Sequence, residues 1–155
     1  VPRHAETRTL PYTPEQMFDL VADVARYPQF LPWVIGTRLR SKSDTALVAD
    51  LVVGFKMLRE TFTSKVTLDR PRHIHVDYLD GPLKYLRNDW RFEPAPDGGC
   101  LIHFKVEFEF RSRMFEALAG AVFGEALRRM IGAFEKRAAE LYGTGISSSS
   151  AHRTA

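Results

Sequence analysis

The chain is 155 residues long, 45% hydrophobic and 26% charged, with 10 Gly and 9 Pro, proportions of one folded domain that exclude a collagenous, fibrous or disordered chain. Twenty-two Lys and Arg against 19 Asp and Glu give a formal charge of +3, a mild excess compatible with an anionic membrane or RNA and diagnostic of neither. The single cysteine, Cys100, excludes an intrachain disulfide, and no Cys/His pair has structural-zinc spacing.

The opening VPRHAETRTL carries charges of both signs and no apolar stretch, so no signal peptide is read there and an intracellular protein is expected. Weak alternation from Arg3 to Leu10 predicts an edge strand. Thr13-Pro14-Glu15-Gln16 is a capping sequence with proline at the first helical position, and Met17, Phe18, Leu20, Val21 and Val24 share one face. A helix from Pro14 to about Val24 follows. Arg26-Tyr27-Pro28-Gln29-Phe30-Leu31-Pro32-Trp33 sets two prolines among large apolar side chains, which predicts a short helical turn and a packed loop.

From Val34 to Phe110 the pattern has period two, punctuated at Lys42-Ser43-Asp44, Gly54, Asp69-Arg70-Pro71, Asp80-Gly81-Pro82 and Pro96-Asp97-Gly98-Gly99. Six strands fit, and connections this short leave no room for crossover helices, so the sheet is an antiparallel meander. The last strand sets Ile102, Phe104, Val106, Phe108 and Phe110 against His103, Lys105, Glu107 and Glu109, one face apolar and one solvated. From Ser112, a cap, to Tyr142 the period turns helical, with Phe115, Leu118, Val122, Phe123, Ala126, Leu127, Met130, Ile131 and Phe134 on a wide arc. Residues 144–155 are small and polar and read as a disordered tail beyond a domain of residues 1–143. The fold class expected is α+β: a curved seven-stranded antiparallel sheet wrapped around one long C-terminal helix, the helix-grip architecture, with a cavity where helix and sheet fail to close. Eleven Phe, more than one small core requires, suit such a cavity.

Chemical motifs are few. His73, His75 and Asp77 alternate along one strand, a possible metal spacing, but their neighbours Ile74, Val76 and Tyr78 take the buried face, so the set is expected in solvent and no metal is assigned. No nucleophile–histidine–acid arrangement has local support, and Arg87, Asp89, Arg91 and Glu93 read as a solvated charge network. No catalytic residue is therefore assigned. Gly120 and Gly124 have Gly-x-x-x-Gly spacing, readable as close approach of sheet or ligand, or as ordinary helix-to-sheet packing. Gly54-Phe55-Lys56-Met57-Leu58-Arg59 puts apolar side chains and cations in one turn, either folded back as core or a lip touching a bilayer through Phe55, Lys56, Met57 and Arg59, with Phe30 and Trp33 as the opposing lip.

Several ordered blocks carry a resemblance: Asp23-Val-Ala-Arg-Tyr27-Pro-Gln-Phe30-Leu-Pro-Trp33, Val53-Gly-Phe55, Glu60-Thr-Phe-Thr-Ser64, Trp90-Arg-Phe-Glu-Pro94, Glu107-Phe-Glu-Phe-Arg-Ser112 and Ala133-Phe-Glu-Lys-Arg-Ala138. Over roughly Arg3 to Gly143 the chain resembles the coenzyme Q-binding protein family of the START-like polyketide cyclase and lipid-transport superfamily. It departs at Val34, where many members have Cys, and at Lys56, where eukaryotic members tend to have proline. The resemblance implies a ubiquinone-binding chaperone supporting respiratory electron transfer, not an enzyme, with the quinone as ligand and no cofactor. Its place would be the cytoplasmic side of a bacterial inner membrane, or the mitochondrial matrix side for a processed eukaryotic chain. A bacterial branch is described as ribosome-association toxins, so inhibition of subunit association is the alternative, and a cyclase or aromatase a second. DNA is not an expected partner. The residues assigned to the ligand are Phe30, Leu31, Trp33, Phe55, Met57, Leu58, Phe62, Leu86, Asn88, Trp90, Phe104, Phe115, Val122, Phe123 and Met130. Asn88, Thr61 and Arg59 are the candidate donors to the quinone carbonyls.

Overall fold

Two capped helices and seven strands follow the chain: β1 (Arg3–Leu10), α1 (Pro14–Ala22), a 3-10 turn (Val24–Gln29), β2 (Val34–Lys42), β3 (Ala46–Phe55), β4 (Leu58–Asp69), β5 (His73–Asp80), β6 (Leu83–Pro94), β7 (Cys100–Phe110) and α2 (Arg113–Tyr142). This computed structural model describes residues 3–55 and 57–143. Lys56, the Phe55 side chain and the expected tail, 144–155, lie outside the described residues.

The strands form one antiparallel sheet in the order β1-β7-β6-β5-β4-β3-β2. A meander from β2 to β7 accounts for most of it, and β1 returns to pair with β7, leaving β1 and β2 as edges. Register shifts in β2, β5 and β6 insert extra residues that bend the strands and curl the sheet. At the β5–β6 turn Gly81 has φ 145°, and a Cβ there would sit 2.7 Å from the Tyr78 hydroxyl and 2.9 Å from the Thr61 carbonyl. Only glycine fits that corner.

α1 begins where the sequence places it, through a reciprocal box in which Gln16 N donates to Thr13 Oγ1 (3.0 Å) and Thr13 N donates to Gln16 Oε1 (2.9 Å). It stops at Ala22, and the 3-10 turn takes up Val24 instead of a further α-turn. Ser112 caps α2 by accepting from Phe115 N at 3.2 Å.

α2 is packed unevenly. Ile131, Phe134 and Ala138 in its C-terminal half are buried, against a core that includes Leu10, Met17, Phe18, Phe92 and Ile102. In its N-terminal half Met114 and Leu118 are 75% and 63% exposed, so the apolar arc expected from the sequence overstates the contact and Leu118 does not join it. Gly120 and Gly124 are not points of close approach to the sheet: a Cβ on either would meet only Glu116 or Arg128, side chains of α2 itself. Cys100 is fully buried, and burial pushes its thiol up to about 12. No described helix is long and apolar enough to cross a membrane.

Candidate functional site

Where α2 stands off the sheet a cavity of about 210 Å³ remains. Strand alternation builds its floor, since residues two apart face one side: Ala49, Leu51 and Val53 of β3, Phe62, Ser64 and Val66 of β4, Ile74, Val76 and Tyr78 of β5, Leu86, Asn88 and Trp90 of β6, Phe104 and Val106 of β7. Val122, Phe123, Ala126, Leu127, Met130 and Phe134 of α2 form the roof, and Val21, Val24, Tyr27, Leu31, Trp33 and Val34 close one end. Among the described residues, no carboxylate, imidazole, ammonium or guanidinium lines it.

The polar atoms in this apolar shell are few. Asn88 accepts from Trp90 Nε1 at 2.9 Å and donates one amide hydrogen to the Lys105 carbonyl at 2.9 Å, leaving its second hydrogen for a ligand. The Tyr78 hydroxyl accepts from Leu83 N at 2.9 Å and keeps its own proton to donate. Burial raises its pKa, so it stays a neutral donor. The Tyr27 hydroxyl is spent on the Val21 carbonyl, and burial raises its pKa strongly. Ser64 adds one further hydroxyl.

A second, more open cleft of about 960 Å³ lies outside, lined by Phe30, Pro32, Gly54, Ala133 and the charged Glu125, Arg129, Lys136, Arg137 and Glu140. Trp33, Val122 and Ala126 line both spaces, so they form the partition between them. Gly54 N donates to the Trp33 carbonyl at 2.9 Å, which ties the end of β3 to the loop after the 3-10 turn at this mouth.

A curled sheet gripping a long helix over an apolar cavity is the architecture of lipid carriers and of aromatic cyclases, and residues 10–135 match the polyketide cyclase/dehydrase and lipid transport family. The chain belongs to that family. It is 39% identical over 132 residues to the ribosome association toxin RatA of Vibrio cholerae, covering 85% of this chain and 92% of that one. It is 35% identical over 144 residues to the mitochondrial coenzyme Q-binding protein COQ10 homolog B of Xenopus laevis, covering 90% of this chain and 59% of that one. The solution structure of an 18 kDa Caulobacter crescentus protein superposes with a TM-score of 0.72 at 40% identity, covering 92% of this chain and 99% of that one. These relatives agree with the resemblance read from the sequence, and the family's helix-grip fold is the one observed.

Of the residues assigned to the ligand from sequence, Leu31, Trp33, Phe62, Leu86, Asn88, Trp90, Phe104, Val122, Phe123 and Met130 line the cavity of this family member. Five others do not, or are not described. Phe30 faces the outer cleft, packed edge-on against Tyr27 and Phe134. Met57 is 98% exposed at the hairpin tip, Leu58 beside it is half-buried outside the lining, and Phe115 lies against Phe110, 5.6 Å away, near the α2 N-terminus. The Phe55 side chain falls outside the described residues. Thr61 and Arg59 are exposed on the face of β4 opposite Phe62 and Ser64, so neither donates into the cavity; Tyr78 and Ser64 stand there instead. The ligand assignment left out Tyr78, Val76, Val106 and Ala126, which the sequence placed only on inward faces, and the small residues Ala49 and Val66. Alternation with residues already chosen held that signal, since each strand residue among them shares a face with a large apolar neighbour.

Proposed function

We propose that this chain binds a polyisoprenoid quinone, ubiquinone in the first instance, with its head in the cavity, and serves as a quinone chaperone for respiratory electron transfer. The observation that carries the reading is an apolar chamber holding unspent donors, Asn88, Tyr78 and Ser64, which suits a neutral head with carbonyl acceptors. Each isoprene unit buried contributes about 4 kcal/mol before ordering costs. A cavity of about 210 Å³ takes only the head and the start of a tail. The remaining tail passes the Trp33–Val122–Ala126 partition into the outer cleft or a bilayer. Met57 and Arg59, exposed at the β3–β4 tip, suit contact with an inner-membrane surface. The lack of carboxylate, imidazole, ammonium and guanidinium side chains among the described lining supports a carrier rather than a cyclase.

Native mass spectrometry with lipid extraction, on protein purified gently from its source cells, tests this reading. A co-purifying quinone of defined mass supports it; empty protein that also refuses added ubiquinone overturns it. A second reading, association with the ribosome, is favoured by the RatA relatives. It requires co-sedimentation with ribosomal subunits that falls steeply with salt.

A further inference from the structure

The outer face of β5 and β6 gathers a second set of chemistry-bearing side chains, away from the cavity. Ile74 and Val76 of β5 turn inward to line the cavity, so His73, His75 and Asp77 turn outward. The register sets His75 opposite Asp89 and His73 opposite Arg91, and both imidazoles lean on one carboxylate. His73 Nε2 lies 2.7 Å and His75 Nδ1 2.8 Å from the same atom, Asp89 Oδ1. Ligand atoms of these three half-buried residues all fall within 4.8 Å of one another. The remaining nitrogen of His75, Nε2, lies 3.0 Å from Asp77 Oδ1.

We propose that His73, His75 and Asp89 form a binding site for a divalent transition-metal ion, zinc above all, with Asp77 as the carboxylate that positions His75. Two imidazoles and one carboxylate are a donor set zinc accepts, with water in the fourth place. Zinc bonds of about 2.0–2.1 Å in a tetrahedron put ligand atoms about 3.4 Å apart, so the imidazoles need retreat from Asp89 Oδ1 by only about 0.6 Å, a small side-chain rotation. The ion takes the place of the protons the two rings share with that oxygen, so two protons at most leave as it enters.

Asp77 separates this arrangement from an ordinary pair of surface histidines. A metal-bound histidine as a rule donates its other N–H to a carboxylate, which fixes the ring and strengthens it as a ligand. His75 is held in that way, Nδ1 toward the shared point and Nε2 toward Asp77. Across the neighbouring strands, Arg91 opposes His73, Lys105 opposes Asp89 and Asp69 opposes His73 from β4. The same registers set Lys65 and Arg87 opposite Asp77, so four cations stand against the carboxylates Asp69 and Asp77 and leave the surroundings net positive, which suits micromolar rather than tighter binding. A bound ion would clip β5 to β6, the strands whose inner face carries Ile74, Val76, Asn88 and Trp90 of the cavity floor.

The test is titration of the full chain, stripped with a chelator, with zinc chloride alone, followed by calorimetry and thermal melting. One zinc per chain and a raised Tm are expected, with both lost in His73→Gln and His75→Gln. Asp77→Asn, which keeps all three ligands, is expected to weaken zinc 10- to 100-fold. His103→Gln, on a different outer-face pair with Glu93, is expected to leave binding unchanged. Circular dichroism of each variant separates lost binding from lost folding. The site is overturned if the wild type shows no saturable uptake at micromolar zinc, or if uptake survives His75→Gln. Unaltered affinity in Asp77→Asn overturns the part given to that residue.

Discussion

Ala126→Leu is the sharpest probe of the cavity, because it adds side chain to the roof without a change of charge or of helix propensity. Ala126 lines the cavity from α2, and leucine adds three carbons there, worth about 0.8 kcal/mol each when buried. Against ~1 kcal/mol of lost side-chain freedom, the net stabilisation is about 1.5 kcal/mol. For a domain of this size that raises Tm by roughly 3–6 °C. The same three carbons exclude an equal bulk of ligand, so quinone binding should weaken by about 2.4 kcal/mol, close to fifty-fold. The chain carries two tryptophans, Trp33 and Trp90, and both line the cavity. Quenching of their fluorescence by a short-tailed ubiquinone reads occupancy directly, beside a thermal melt of the same samples. A variant that melts higher yet binds the quinone as tightly as the wild type would place the ligand elsewhere and refute the reasoning.

Phe134→Ala should do the opposite: Phe134 packs edge-on against Tyr27, Phe30 and Trp90 at 5.2–5.4 Å, and its loss should cost about 3–5 kcal/mol in urea unfolding. Asp50 is held below its ordinary carboxylate pKa of 3.8, first by the Thr63 hydroxyl at 2.7 Å and then by Arg40 at 2.9 Å. Its contribution is therefore present above that ordinary value and lost as pH falls through the lower folded one. The stability gap between wild type and Asp50→Asn should hold steady from neutral pH to about 5 and close in stronger acid, as acid titrations of both proteins would show. Met57→Asp should reduce co-flotation with anionic vesicles by about tenfold or more if the exposed Met57 side chain enters the interface. Hydrogen exchange should run faster in the first half of α2, above the cavity, than around Ile131, Phe134 and Ala138, a gradient measurable amide by amide.

Much of the architecture was legible because local rules sufficed for it. The alternation of Ile102 through Phe110 found β7, the Thr13 and Ser112 caps found both helix starts, and short turns implied a meander. What escaped depends on distances between elements. Leu118 has the periodicity of a core residue, yet it is 63% exposed while its neighbour Ala119 is buried, so the inward face of α2 is narrower there than the apolar arc, and no one-dimensional pattern encodes that. Periodicity puts Ala49 and Ala126 on inward faces, but what they contribute there is the space they leave, which no periodicity encodes. The histidines show the same division. Spacing along β5 puts Asp77 beside His73 and His75, but the carboxylate both rings meet is Asp89, brought by the register of a neighbouring strand.

Cys100 offers a practical opening. Fully buried, with a thiol that ionises only near pH 12, it is shielded from maleimides and spin-label reagents at neutral pH, where the attacking species is the thiolate. The natural chain thus behaves as a cysteine-free background. A cysteine introduced at Met57 would take a single probe at the hairpin tip, and one at Leu118 would take it on the loosely held end of α2. Distances between such a pair, followed during lipid uptake, would show whether the helix lifts from the sheet to admit its cargo.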